Sequence, residues 1–259
     1  MTPNRPLDGA SIVVTRSSSQ AGALIEQIRA LGGQPIELPL IDFRKASISH
    51  HSHLTDYDWI VFSSVNGVRF FLDQLSDQEI DQLRSKARVA AVGSKTRSEL
   101  LNYQFQVEVM PTKYEAESLA EAILKKASTH ERILLARGNL ARPILTDLLK
   151  KAGLSVLDLA VYETVFPKEA LLKIKELQQL GVQPDYLTFT SASTVSHYAE
   201  LSQKLLSDKT MLFPEADIVC IGDITAQKAR ALGLVVAAVP KRFTVEAMVD
   251  ELIRLRKGE

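Results

Sequence analysis

Residues 89–122 read VAAVGSKTRSELLNYQFQVEVMPTKYEAESLAEA, and residues 218–251 read IVCIGDITAQKARALGLVVAAVPKRFTVEAMVDE. The two align without a gap at a constant offset of 129, so that Gly93 falls on Gly222, Thr96 on Thr225, Pro111 on Pro240, Tyr114 on Phe243 and Glu117 on Glu246. Each copy reads as a buried strand, a glycine turn, a helix, a second short strand, a Pro-led loop and a further helix. Two such copies predict a molecule with two related halves and a site between them.

Working outward, residues 11–16 (SIVVTR) read as a β-branched strand and 21–31 as an amphipathic helix with Leu24, Ile25, Ile28 and Leu31 on one face. Gly32-Gly33 ends that helix, and 35–41 (PIELPLI) reads as a second strand. The unit recurs over 132–162 at an offset of 121, matching Arg16 with Arg137 and Gly32 with Gly153. A third pair, 58–75 and 185–202, aligns at 127 and sets Ser64 against Ser191. The chain is therefore A-B-A′-B′, with strands and helices alternating, which predicts a parallel, doubly wound α/β architecture. The period is too long and the copies too few for a solenoid. Segments 45–55, 77–85, 128–131, 166–183 and 207–215 read as less regular, with a helix expected over 168–180.

The composition is that of an ordinary globular chain, 46% hydrophobic and 24% charged, long enough for two cores. Lys+Arg and Asp+Glu both number 31, so no global basic field favours nucleic acid or an acidic membrane. No run approaches the ~20 apolar residues of a membrane helix, and the first residues lack a signal-peptide core. Cys220 is the only cysteine, which excludes a disulfide framework and a Cys-rich zinc site. A cytoplasmic location is the expectation.

In an open parallel sheet, ligands bind beyond the carboxyl ends of the strands. Here that edge carries Arg16 and Arg137, Ser63-Ser64 and Thr190-Ser191, Gly93-Ser94-Lys95-Thr96 and Gly222-Asp223-Ile224-Thr225. Hydroxyls, glycines and cations at helix starts suit a ligand with several carboxylates or phosphates. Ser64, Ser191, Ser94 and Asp223 also suit helix N-caps, and either arginine suits a surface ion pair. Ser94-Lys95-Thr96-Arg97 is cationic where its partner turn carries Asp223, so an anion should place more charge on the first copy.

Other chemistries find little support. Ser49-His50-His51-Ser52-His53 has metal-like residues but no accompanying Cys or carboxylate pair, so no metal site is expected. His130 and His197 are isolated, and no Gly-x-Ser-x-Gly elbow occurs. Neither a Walker loop nor Gly-x-Gly-x-x-Gly is present, which argues against ATP, NAD and FAD.

VVTR, FSSVNGV, AVGSKT, PTKYEAESL, LLARG, VYET, FTSASTV and IGDITAQKA, in this order along nearly the whole chain, resemble the uroporphyrinogen-III synthase family. The resemblance implies a cofactor-free lyase of tetrapyrrole biosynthesis. Its substrate would be hydroxymethylbilane, a linear tetrapyrrole with eight carboxylates, handed over by hydroxymethylbilane synthase. Its product would be uroporphyrinogen III, with ring D inverted through a spiro intermediate. It further implies two flavodoxin-like doubly wound parallel-sheet domains joined by a two-stranded linker, A pairing with B′ and B with A′. The domains would be 1–38 plus 166–259, and 43–160, with linkers 39–42 and 161–165 permitting hinge motion. By residue matching, Tyr162 would assist departure of the hydroxyl, its phenol being a hydrogen-bond donor. Ser63, Ser64, Thr96, Ser191 and Thr225 would contact the acetate and propionate arms, with Arg16, Gly93, Ser94, Lys95 and Arg137 beside them. The chain departs from commoner forms at Ser63, at Lys95-Thr96-Arg97 and at Asp223. A monomer without nucleic-acid or membrane partners is expected. The alternative is a non-catalytic two-lobed protein that senses a small anion or a tetrapyrrole.

Overall fold

The computed structural model describes residues 5–48, 53–206 and 211–259. Its strands are β1 (Ser11–Val14), β2 (Gln34–Glu37), β3 (Asp42–Lys45), β4 (Trp59–Phe62), β5 (Arg88–Ala91), β6 (Arg132–Gly138), β7 (Ser155–Val165), β8 (Tyr186–Phe189), β9 (Asp217–Cys220) and β10 (Val236–Ala238). Its helices are α1 (Ser18–Ala30), α2 (Val65–Leu72), α3 (Asp77–Lys86), α4 (Ser94–Asn102), α5 (Ala116–Leu124), α6 (Ile144–Lys151), α7 (Lys168–Gln179), α8 (Ala192–Leu205), α9 (Asp223–Ala231) and α10 (Val245–Arg256). None of the described helices is long and apolar enough to cross a membrane.

The strands form two five-stranded sheets, ordered β10-β9-β8-β1-β2 and β3-β7-β6-β4-β5. In the first, all four neighbouring pairs run parallel, and renumbering its strands gives the flavodoxin-type order 2-1-3-4-5. In the second, β7, β6, β4 and β5 are also parallel neighbours. Strands of A thus pair with strands of B′, and strands of B with those of A′. The chain divides into two compact units, Met1–Asp42 with Val165–Glu259, and Phe43–Thr164.

Parallel strands covered on both faces must be apolar throughout, and β4 (WIVF) and β8 (YLTF) are buried at every position. The period of two sends alternate residues to opposite faces. Val13 packs with Phe189 and Tyr198 on one side of the first sheet, while Ile12 and Val14 meet Leu24, Ile28 and Met248 on the other. In the second, Ile60 and Phe62 pack with Phe71 and Leu100, and Trp59 and Val61 face Leu119 and Leu149. Truncating a fully buried ring such as Phe71 to alanine would cost about 3–5 kcal/mol. The repeat extends to backbone detail: Gly32 and Gly153, matched at offset 121, end α1 and α6 with φ +89° and +88°. That left-handed position favours glycine.

Four expectations are revised. Helix α1 starts at Ser18, not 21, and β2 stops at Glu37. The less regular segment 77–85 is helix α3; Ser76 and Glu79 close a reciprocal capping box that offsets its poor apolar content. The second short strand of the first B copy shrinks to one parallel bridge, Ala90 with Val109, whereas its counterpart is β10.

Candidate active site

The carboxyl-end edge of the second sheet holds the most organised side chains. Strand β4 ends at Phe62, leaving Ser63 exposed, and Ser64 turns the chain into α2. Ser64 is extended (φ −156°, ψ 158°), and its Oγ accepts a hydrogen bond from the Gly67 amide at 3.0 Å. A Cβ on Gly67 would lie 2.7 Å from the Ala136 carbonyl oxygen, so the missing side chain lets α2 press against the end of β6. Across β6, register sets Tyr162 of β7 opposite Gly138. The phenol of Tyr162 comes within 3.4 Å of Ser64 Oγ. Its ring stacks on Phe70 (5.4 Å, 28°) and meets Phe43 edge-on (5.6 Å, 85°). Asn139 fastens the strand end: its amide donates to the Tyr162 carbonyl at 3.0 Å, and its Oδ1 accepts from the Thr164 amide at 2.9 Å.

The glycine turns of the two copies match closely. Gly93 (φ −153°, ψ 171°) is the N-cap of α4, and Gly222 (φ −171°, ψ 173°) that of α9. Ser94 and Asp223, expected as caps, are instead the first helical residues, because the glycines occupy the cap positions. Ser94 and Lys95 are exposed, as are Asp223 and Ile224. Thr96 and Thr225 are buried, each only 5% exposed, so the side chains at these helix starts that solvent reaches are those of their neighbours. Ser191 (φ −158°, ψ 157°) repeats Ser64, its Oγ accepting from the Thr194 amide at 3.2 Å.

The two arginines part company. Arg16 is half-buried, and its Nε and Nη2 donate to Gln20 Oε1 at 3.3 and 3.2 Å. Burial pulls its pKa below the ordinary guanidinium value, and it forms no ion pair among the described residues. Arg137, expected at the ligand, is instead committed within its own unit. Its Nε donates to Asp158 Oδ1 at 2.5 Å, Nη2 pairs with Asp158 Oδ2, and Nη1 donates to the Arg142 carbonyl at 2.6 Å. Thr146 Oγ1 donates to the same carboxylate at 2.6 Å, which fills the cluster. The reason is β7: register places Asp158, paired with Leu135, within reach of the guanidinium.

Residues 49–52 of the histidine-rich stretch lie outside the described residues. His53 stands 3.6 Å from Asp56, and among the described residues no cluster of three or more His, Cys, Asp or Glu could hold a metal ion. The side chains not foreseen are Phe43, Phe70, Gly138 and Asn139. All four surround Tyr162, and the bare glycine after a long apolar strand was the signal that could have found them. The edge of the second unit thus offers hydroxyls and a fixed phenol, suited to assisting the departure of an oxygen, while that of the first offers a hydroxyl and the half-buried cation of Arg16, suited to an anion.

A sequence profile of the family described as "Uroporphyrinogen-III synthase HemD" matches residues 22–250. The porphyrin biosynthesis protein HemD of Ruminiclostridium josui is 28% identical over 260 residues, covering 98% of this chain and 50% of that protein, so the chain spans about half of that relative's length. The uroporphyrinogen-III synthase of Chlorobaculum parvum is 29% identical over 237 residues, covering 90% of this chain and 94% of that protein. The crystal structure of uroporphyrinogen-III synthetase from Helicobacter pylori 26695 superposes with a TM-score of 0.67 at 17% identity, covering 95% of this chain and 99% of that one, a likeness of fold. Matched by that profile over most of its length, the chain belongs to the uroporphyrinogen-III synthase family.

Proposed function

We propose that the chain closes hydroxymethylbilane to uroporphyrinogen III with inversion of ring D. The observation that carries this reading is the phenol of Tyr162, fixed between Phe43, Phe70 and Gly138 and 3.4 Å from Ser64 Oγ. Departure of the terminal hydroxyl takes the C–O electron pair, and the pyrrole nitrogen stabilises the resulting azafulvene cation. A hydrogen bond from Tyr162 lowers the cost of that departure. The substituted carbon of ring D then attacks, and the spiro intermediate fragments and re-closes with the ring reversed. Unassisted closure gives the type I isomer, so the protein's task is to hold the bilane in the less accessible geometry.

In this reading Ser63, Ser64 and Ser191 contact acetate and propionate arms, together with the unpaired first-turn amides that follow Gly93 and Gly222. Thr96 and Thr225 contribute their backbone, since their side chains are buried. Arg16 receives a carboxylate, and Arg137 frames the edge without touching substrate. Lys95 gives the first copy the greater share of anion binding, so Lys95→Glu weakens binding more than Ile224→Glu. The enzyme works as a cytoplasmic monomer and takes its substrate from hydroxymethylbilane synthase, a handover favoured by the bilane's readiness to close unaided.

The test supplies hydroxymethylbilane, oxidises the product and resolves isomers I and III. Isomer III formed faster than spontaneous closure supports the reading. Isomer I alone, at the spontaneous rate, leaves only a tetrapyrrole-binding role.

A further inference from the structure

Two aromatic side chains at matched positions of the two B copies are exposed where the chain could have buried them. Tyr114 is 60% exposed and Phe243 59%. Single exposed apolar residues are common on protein surfaces and need no explanation. These two share more than exposure. Each stands at the apex of a three-residue turn: the Glu115 amide donates to the Lys113 carbonyl at 2.9 Å, and the Thr244 amide to the Arg242 carbonyl at 2.9 Å.

Each ring also rests on the glycine of the preceding turn. A Cβ on Gly93 would lie 3.5 Å from Cδ2 and Cγ of Tyr114 and 3.7 Å from Cδ1. On Gly222 it would lie 3.1 Å from Cδ1 and Cγ of Phe243 and 3.5 Å from Cδ2. Near-equal distances to three ring atoms mean that each glycine sits over a ring face. The backbone does not call for glycine at either position, since both are extended. At Gly222 a Cβ would press on the ring, which would have to give by a few tenths of an ångström. One face of each ring is thus seated on the protein, and the exposure falls on the rest of it.

Cations neighbour both rings along the chain. Lys113 precedes Tyr114, and Lys241 and Arg242 precede Phe243; all three are exposed and form no ion pair among the described residues. An aromatic face seated on one side, with cations adjacent to it in the chain, is complementary to a flat, π-rich heterocycle that carries carboxylates on short arms.

We propose that Tyr114 on the second unit and Phe243 on the first are each a stacking platform for a pyrrole ring of the bilane, with Lys113, and Lys241 and Arg242, taking the carboxylate arms of the ring so held. This rests on the substrate assigned above and makes the two residues positioning contacts for the bilane. A phenyl face suffices, which is why tyrosine in one copy is matched by phenylalanine in the other. Offset-stacked aromatic pairs favour association by roughly two- to ten-fold each.

The experiment measures KM, kcat and the III-to-I product ratio for Tyr114→Leu, Tyr114→Phe, Phe243→Leu, Gly93→Ala and Gly222→Ala, with melting temperature as a control for folding. Each leucine variant is expected to raise KM roughly five-fold and to admit more isomer I at an unchanged melting temperature. Tyr114→Phe should restore the wild-type KM, since it restores the face. Gly222→Ala, whose Cβ makes Phe243 give by a few tenths of an ångström, should raise KM more than Gly93→Ala, where a Cβ makes ordinary contact. If wild type yields isomer III while both leucine variants keep its KM and isomer ratio, the stacking proposal is overturned and the assigned activity stands. If wild type itself yields isomer I only, the assigned activity falls, and the stacking proposal falls with it.

Discussion

The ring of Tyr162 lies against Gly138 so closely that a Cβ built on that glycine would sit 2.6 Å from Cε2 and Cζ and 2.8 Å from the phenol oxygen. No L-residue with a side chain fits there without moving the tyrosine. Gly138→Ala should therefore slow kcat much as Tyr162→Phe does, by about 5- to 150-fold if each forfeits one hydrogen bond of ~1–3 kcal/mol in the transition state. Gly138→Ala should also lower stability by about 1–3 kcal/mol through overpacking, whereas Tyr162→Phe should leave the melting temperature nearly unchanged. Steady-state kinetics and thermal melts of the two variants check this.

Arg16 and Arg137 occupy equivalent positions and should fail in opposite ways. Arg137→Ala leaves the Asp158 carboxylate, 27% exposed, with Thr146 as its remaining hydrogen-bond donor. Allowing for that exposure, the loss should be about 2–3 kcal/mol of stability with little change in KM. Arg16→Gln removes a half-buried charge that has no carboxylate partner among the described residues. It should raise KM about ten-fold or more while stability holds or improves. Paired denaturation and kinetic measurements on both variants read the contrast.

Glu108 sets a pH dependence in the second unit. The hydrogen bond and charge of Arg88, aided by Lys126, draw its carboxyl from the ordinary 4.5 down to about 2. A carboxylate depressed by folding adds stability that is complete above its unfolded value and is lost as pH falls through the folded one. The contribution should therefore fade between pH 4.5 and 2. The partners are partly solvent-exposed, which keeps it modest. Urea midpoints of wild type and Glu108→Gln should differ at pH 6 and converge toward pH 2; a constant gap contradicts the assignment.

Cys220, on interior strand β9, reports on the first unit. Burial raises its thiol to about 12, so almost no thiolate exists in the folded protein at neutral pH. Labelling by a disulfide reagent should require unfolding and share its denaturant dependence. Stoichiometric reaction within minutes in buffer would contradict the packing described here.

The architecture was legible because the strands are both apolar and repeated. Offsets of 121, 127 and 129 superimpose Ser64 on Ser191, Gly32 on Gly153 and Gly93 on Gly222, and each pair shares its backbone conformation. Helix α3 was missed because its stability comes from the box between Ser76 and Glu79 more than from an apolar face. At the edge, residue type indicated where polar groups would gather, but not their partners. Whether an arginine meets Asp158 or only Gln20 depends on register and reach across strands, which spacing within one segment does not encode. The same holds for Phe43 and Phe70, brought to Tyr162 from distant segments.

In the proposed reaction, positioning, more than any single reactive side chain, decides which isomer forms. The most direct test is the III-to-I ratio produced by Tyr162→Phe, with enzyme in excess over hydroxymethylbilane so that unaided closure does not compete. Slower turnover with isomer III still dominant is expected. Loss of isomer III in a variant that keeps its melting temperature would contradict it.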